Sequence, residues 1–181
     1  MLDGGAATVK ELELRDGVVD VDVFTPASRG FFGIQFRVAN DGANGEWVYL
    51  RQHKSGAQDA MQYTPVLNTG LNWQLYTGPG FTGAVDVPKN ERFHLRLELS
   101  GAQAKLFVKD MDKPALVMPD LKSGNQKGQV ALAVLTGATC FLGIMDVESD
   151  AIYLPLKKGR NELLLAVSEL GGGWGFIARL D

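Results

Sequence analysis

The chain has 181 residues, 45% hydrophobic and 22% charged, enough for one well-buried domain or one domain with an appendage. A formal net charge of -3 and an isoelectric point near 5.4 leave no basic surface of the kind that neutralises phosphates, which argues against a nucleic-acid partner. The single cysteine, Cys140, cannot form an internal disulfide, so stability has to come from packing; its setting in Thr139-Cys140-Phe141-Leu142 reads as a buried strand residue. No apolar run approaches the roughly 20 residues a spanning helix requires, and Met1-Leu2-Asp3-Gly4 lacks a basic-then-apolar leader.

Short alternating segments separated by Gly, Asn, Asp and Pro dominate, without a long stretch of helical periodicity. Leu12 and Leu14 lead into Asp16-Gly17, a hairpin signal, after which Val19, Val21 and Val23 alternate with Asp20 and Asp22. From Gly30 to His53 two strands are expected around the loop Asn40 to Gly45. In the first, Phe32, Ile34, Phe36 and Val38 point one way and Gln35 and Arg37 the other; in the second, Val48 and Leu50 alternate with Trp47, Tyr49, Arg51 and His53. Further strands are expected at Asp59 to Thr64, Asn72 to Tyr76 and Gly83 to Val87. Thr77-Gly78-Pro79-Gly80 reads as a loop between them. The clearest strand is Glu91 to Leu99, where Phe93, Leu95, Leu97 and Leu99 face inward and Arg92, His94, Arg96 and Glu98 outward. Ser100-Gly101 then turns the chain into Ala104, Leu106 and Val108. Leu116 to Met118, Gly128 to Leu135 and Cys140 to Val147 complete the set, with a loop at Lys122 to Lys127. Many short strands with closely spaced turns imply an all-β fold, an antiparallel two-sheet β-sandwich of the jelly-roll kind.

The polar sides of these strands supply a candidate ligand site: Arg37, Tyr49, Arg51 and His53, joined by Gln62, Tyr63, Asn72 and Trp73 from the following segments. Aromatic rings beside guanidinium and imidazole suit a neutral or acidic sugar, whose C–H faces stack on rings and whose hydroxyls need fixed partners. The competing reading is a half-exposed sheet carrying amphipathic, β-compatible residues, with Trp73 and Tyr63 as lid or core aromatics and Trp47 and Trp174 in packing. Asp20 and Asp22 share a strand face but lack a third carboxylate and an aromatic cleft, so they read as solvated strand residues. Only His53 and His94 exist and no His or Cys lies at zinc spacing, so no metal or other cofactor is expected. Asn40, Asp41 and Asn44 carry loop oxygens suited to calcium, though such loops also form plain turns. Neither a Gly-x-Ser-x-Gly elbow nor a phosphate-cradling loop occurs, and Gly171-Gly172-Gly173 precedes a strand-like segment.

Three segments carry a family resemblance: Gly30-Phe31-Phe32-Gly33-Ile34-Gln35-Phe36-Arg37, Glu46-Trp47-Val48-Tyr49-Leu50-Arg51, and Phe93-His94-Leu95-Arg96-Leu97-Glu98 leading into Ala104-Lys105-Leu106-Phe107-Val108. In this order they resemble the concanavalin A-like lectin/glucanase superfamily, nearest to laminin-G-like domains and the 3-keto-disaccharide hydrolase-like domains of bacteria. The resemblance covers roughly Val9 to Val147. It implies a glycan or oligosaccharide partner held on one sheet and an extracellular or periplasmic setting, with hydrolysis in some relatives. The Glu-x-Asp-x-x-Glu strand motif of the laminarinase-type members does not occur here.

The tail from Asp150 to Val167 resembles the closing strands of a galactose-binding-like sandwich, with Leu156-Lys157-Lys158-Gly159-Arg160-Asn161 before a leucine-rich strand and Trp174-Gly175-Phe176-Ile177 as the last. Two units are therefore expected: a sandwich over 1–147 and C-terminal strands over 148–181, with an abridged second sandwich joining near Phe141 or, alternatively, strands integral to one sandwich. Three strands cannot bury two sheet faces alone, so the tail is expected to pack on the first sandwich or on another copy, giving a homo-oligomer. The functional expectation is a carbohydrate-binding or interaction module of a larger sugar-processing protein. The alternatives are a hydrolase using Arg51, His53 and a nearby carboxylate, and an assembly domain pairing through the tail's edge.

Overall fold

The computed structural model describes residues 5–25, 29–135, 161–169 and 172–180, which form two antiparallel sheets. The first contains β1 (Gly5–Leu14), β3 (Phe31–Val38), β4 (Gly45–Leu50), β5 (Met61–Leu67), β6 (Gly70–Leu71), β7 (Thr82–Gly83) and β11 (Gly128–Leu135). Its order is β1-β11-β3-β4-β5-β6, with β7 also pairing β5. The second contains β2 (Gly17–Thr25), β8 (Glu91–Ser100), β9 (Gln103–Val108), β10 (Leu116–Met118), β12 (Asn161–Glu169) and β13 (Gly172–Leu180), in the order β10-β9-β8-β2-β13-β12.

Period-two alternation decides what lies between the sheets. Phe32, Ile34, Phe36, Val48 and Leu50 from the first sheet meet Val19, Val21, Val23, Phe93, Leu95, Leu97 and Leu106 from the second, all buried in one cluster that also takes in Val134. Two buried aromatics, Phe32 and Phe93, meet edge to face across it with centroids 6.0 Å apart. The molecule is thus the expected all-β antiparallel sandwich.

Local expectations were met unevenly. Ser100-Gly101 does turn β8 into β9, with Gly101 in the left-handed region at φ +56°. Asp16-Gly17, expected to close a hairpin, instead carries the chain from one sheet to the other: β1 pairs β11 while β2 pairs β8. The Asp16 carboxylate accepts the Gly101 N–H at 2.7 Å, tying this crossover to the β8–β9 turn. The strand expected at Asn72 to Tyr76 is a turn, closed by Leu75 N–H donating to Asn72 O at 2.9 Å. Of Gly83 to Val87 only Gly83 is paired, and the strand placed at Asp59 to Thr64 runs from Met61 to Leu67. Cys140 to Val147 lies outside the described residues.

The tail strands extend the second sheet. β13 pairs β2 from Phe176↔Val23 to Leu180↔Val19, and β12 pairs β13 along its whole length.

Candidate ligand-binding face

The face of the first sheet that points away from the core carries its own cluster: Ala6, Phe31, Trp47, Tyr49, Ala131 and Ala133. Register explains their company. Gln35 is opposite Trp47 and Gly33 opposite Tyr49 across the β3–β4 pair, while Ala131 and Ala133 stand opposite Gln35 and Gly33 on the other side. Gly33 leaves the room Tyr49 needs, since a Cβ there would lie 2.6 Å from Tyr49 Cα and Cβ. The Trp47 and Tyr49 rings stack with centroids 4.3 Å apart.

Tyr49, Arg51 and Gln62 form one hydrogen-bonded unit on this face. Tyr49 Oη donates to Gln62 Oε1 at 2.9 Å and accepts from Arg51 Nη2 at 2.9 Å; Arg51 Nη2 also donates to Gln62 Oε1. Gln62 Nε2 donates to the carbonyls of Trp73 at 2.7 Å and Tyr76 at 2.9 Å, so the 72–76 turn is strapped over the outer edge of β5. Arg51 Nη1 donates to Asp59 O at 2.6 Å. The guanidinium carbon lies 4.9 Å from the Tyr49 ring centroid and 6.0 Å from that of Phe31, within cation–π range. Burial pushes the Tyr49 phenol up to about 12 against the opposing pull of Arg51, so it remains a neutral donor at physiological pH.

His53, in the short 3-10 turn Gln52–Lys54 after β4, sets its ring edge-on to Phe31 with centroids 5.2 Å apart and its Nδ1 3.2 Å from Gly30 O. Its pKa is lowered, first by partial burial and then by the neighbouring cations Arg29, Lys54 and Arg51, with the Gly30 carbonyl opposing. Asp59 is held ionised, its pKa lowered chiefly by the hydrogen bond from Lys54. Two buried polar atoms on this face, Trp47 Nε1 and Thr8 Oγ1, have no hydrogen-bond partner. Thr8 is opposite Ala131, so both lie in one row across β1, β11, β3 and β4.

The structure therefore gathers Tyr49, Arg51, His53 and Gln62, with half-buried Asn72 and Trp73 beside them in the strap. Arg37 and Tyr63 are elsewhere. Arg37 adopts φ +52° where the β3–β11 register shifts, which breaks the alternation that placed it with Tyr49. Its buried guanidinium donates to the carbonyls of Arg15 (2.7 Å from Nη2), Gly101 (2.5 Å) and Gly124 (2.8 Å). Tyr63 follows Gln62 in β5 and so points to the opposite face, into the core, stacked on Phe81 and donating to Glu46 Oε2 at 2.6 Å.

Phe31 and the Asp59 carbonyl were missed as members of this group, although counting back by twos from Gln35 through Gly33 reaches Phe31. Asp20 is not a solvated strand residue: it is buried, accepting Arg96 Nε at 2.8 Å with His94 Nε2 at 2.7 Å, while His94 Nδ1 is 2.8 Å from Asp22. The loop oxygens considered for calcium make turn contacts, Asp41 Oδ1 accepting Ala43 N–H and Asn44 Oδ1 accepting Asn68 N–H. Among the described residues no helix is long and apolar enough to cross a membrane.

No protein-family model matches the sequence, and no curated protein matches it. Solved structures do. The chain is similar to the carbohydrate-binding module CBM66 from Bacillus subtilis, with a TM-score of 0.54 and 15% identity over 73% of this chain and 78% of that one. It is similar to galectin-Ib from Xenopus laevis (TM-score 0.53, 12% identity, 74% of this chain and 96% of that one). It is also similar to CG-16, a homodimeric agglutinin from chicken liver (TM-score 0.52, 13% identity, 74% and 96%). The strand order, the two antiparallel sheets and these neighbours give one conclusion: the chain has the concanavalin A-like lectin/glucanase sandwich fold.

Proposed function

We propose that this protein is a glycan-binding module whose site lies at the β4–β5 end of the first sheet's outer face. The observation that carries this reading is the half-buried rim of His53, Asn72 and Trp73 beside the buried Tyr49–Arg51–Gln62 unit. An imidazole, an amide and an indole at the surface supply the ring faces and polar groups a saccharide needs, since its C–H faces stack and its hydroxyls take directed bonds. Gln62 of the buried unit holds the turn that carries Asn72 and Trp73, and Phe31 and the Gly30 carbonyl hold the His53 ring. Two of the proteins it is similar to, a carbohydrate-binding module and an agglutinin, favour the same class. Binding is favoured over hydrolysis because the carboxylate brought to Arg51 is Asp59, engaged with Lys54, whereas glycoside hydrolysis ordinarily uses two carboxylates across the scissile bond.

The test is a glycan-array screen of the full chain with a reducing-sugar assay on the same sample. Binding without turnover, weakened at least fivefold by His53→Ala or Trp73→Ala in a folded variant, is the expected result. Turnover, or binding that neither substitution alters, overturns the reading.

A further inference from the structure

The edges of the two sheets are built unequally. The first sheet ends at β6, two residues long, and at β1, whose pairing with β11 shifts register between Thr8 and Glu13 and whose sequence carries Lys10, Glu11 and Glu13. The second ends at β10, three residues long, and at β12, nine residues long. Short strands, bulges and charge are the devices that keep the free N–H and C=O groups of an edge strand from pairing with another chain. β12 has none of them along its centre. It pairs β13 residue for residue without a register shift and contains no Pro, Gly, Lys or Arg, and among the described residues no strand pairs its outer side.

A strand that pairs with an unrelated partner needs no internal symmetry, whereas one that pairs antiparallel with its own copy about a two-fold axis has to match itself read backwards. β12 does so. Asn161-Glu162 and Ser168-Glu169 flank Leu163-Leu164-Leu165-Ala166-Val167, so the polarity pattern is the same in both directions about Leu165. A two-fold axis at Leu165, perpendicular to the sheet, sets Leu165 opposite its counterpart, Leu163 opposite Val167, Leu164 opposite Ala166, Glu162 opposite Ser168 and Asn161 opposite Glu169. Apolar then meets apolar along the strand, and no acid meets an acid. Paired positions differ by an even number, so the two faces of the sheet also stay in step. Moving the axis to Leu164 sets Glu162 against Ala166 and Asn161 against Val167, and moving it to Ala166 sets Leu163 against Glu169 and Leu164 against Ser168. The register centred on Leu165 is therefore the one the sequence selects.

The rest of the sheet gives the same match a second reason. Through Phe176 and Ala178 of β13, the register positions of Leu165 and Leu163 continue the rows of Val23 and Val21, which lie in the inter-sheet cluster. A second β12 carries those rows on into the partner, where they would otherwise stop at an edge.

We propose that the outer edge of β12 is a homodimer interface, at which two copies of this chain join their second sheets by antiparallel β12–β12 pairing centred on Leu165. The contact is isologous and closes on itself, so it makes a dimer and not a filament.

The experiment measures the mass of the full chain by analytical ultracentrifugation over a dilution series, with amide hydrogen exchange of residues 161–169 followed at the same concentrations. A monomer–dimer equilibrium is expected, with exchange at 161–169 slowing as the dimer fills. Ser168 is opposite Gly173 within the chain but opposite Glu162 of the second copy in the proposed pair, so charge placed there tests the interface directly. Ser168→Glu sets acid against acid twice per dimer and should weaken dimerisation about threefold or more, whereas Ser168→Lys should strengthen it. A chain that stays monomeric throughout the series overturns the proposal. So does a dimer in which exchange at 161–169 is independent of concentration, or one that the two substitutions shift in the same direction.

Discussion

Gly33 and Tyr49 face each other across the β3–β4 pair so closely that no side chain fits between them: a Cβ on Gly33 would lie 2.1 Å from Val48 O and 2.6 Å from Tyr49 Cα. The obstructing atoms are backbone and cannot swing aside. Gly33→Ala should therefore cost about 3 kcal/mol, the upper end for overpacking, and should disturb the Trp47–Tyr49 stack. Urea unfolding with near-ultraviolet circular dichroism measures both; a variant as stable as the parent with an unchanged aromatic spectrum would mean the sheet relaxes freely there.

Leu97 is fully buried in the inter-sheet cluster. Its truncation to Ala removes apolar area and leaves a cavity that the two sheets cannot wholly close, so the expected loss is about 2–5 kcal/mol. Leu95→Ala should fall in the same range. A loss under about 1 kcal/mol for both would be incompatible with the interior described here.

Glu46 gives stability an unusual pH dependence. Burial raises its pKa above the ordinary 4.5, against the hydrogen bonds from Tyr63 and Ser123 that favour the carboxylate. A raised folded pKa means the native state holds the proton more tightly than the unfolded chain, so this group's contribution is present at low pH and is lost as pH climbs from about 4.5 through the raised value. Asp16 and Asp59, with lowered values, act in the opposite sense. The difference in unfolding free energy between the parent and Glu46→Gln isolates the term: it should shift in favour of the variant as pH rises across that window, and a flat or reversed difference would contradict it.

His53 titrates in the other direction. Partial burial and nearby cations depress its pKa below 6.5, so the folded state prefers the neutral ring and the associated stability, present above 6.5, fades as pH falls through the depressed value. The imidazole Cε1–H resonance should show a midpoint below 6.5. Ligand affinity that depends on neutral His53 should drop over the same range, and a midpoint at or above 6.5 would sink the assignment.

The core was readable because it depends on one rule. Phe32, Ile34, Phe36, Val48, Leu50, Phe93, Leu95, Leu97, Leu106 and Val134 all obey strict alternation and all are buried together. The candidate site was readable only where that rule ran unbroken, through Tyr49, Arg51 and Gln62. At Arg37 a register shift redirects the side chain, and bulges leave no periodic trace in composition. Tyr63 was assigned to the wrong side because it was grouped with its neighbour Gln62, although adjacent strand residues point oppositely. The Asp16-Gly17 turn looks like a hairpin locally; that it links two sheets follows from partners more than 80 residues away, such as Gly101. Arg51 also proved more structural than its polarity suggested, since truncating it would take the donor from the Asp59 carbonyl and one of the two donors from Gln62 Oε1.

The position of β2 between β8 and β13 has a consequence for how the chain is made. β2 and β8 can pair once residue 100 has been synthesised, but the strand that covers β2's other edge is not complete until residue 180. Throughout that interval β2 presents open N–H and C=O groups from a valine-rich strand, the arrangement that templates pairing with a second chain. Pairing with β8 also brings His94 and Arg96 onto Asp20 and Asp22, so the side-chain charge of β2 is matched before β13 arrives and what stays open is its backbone edge.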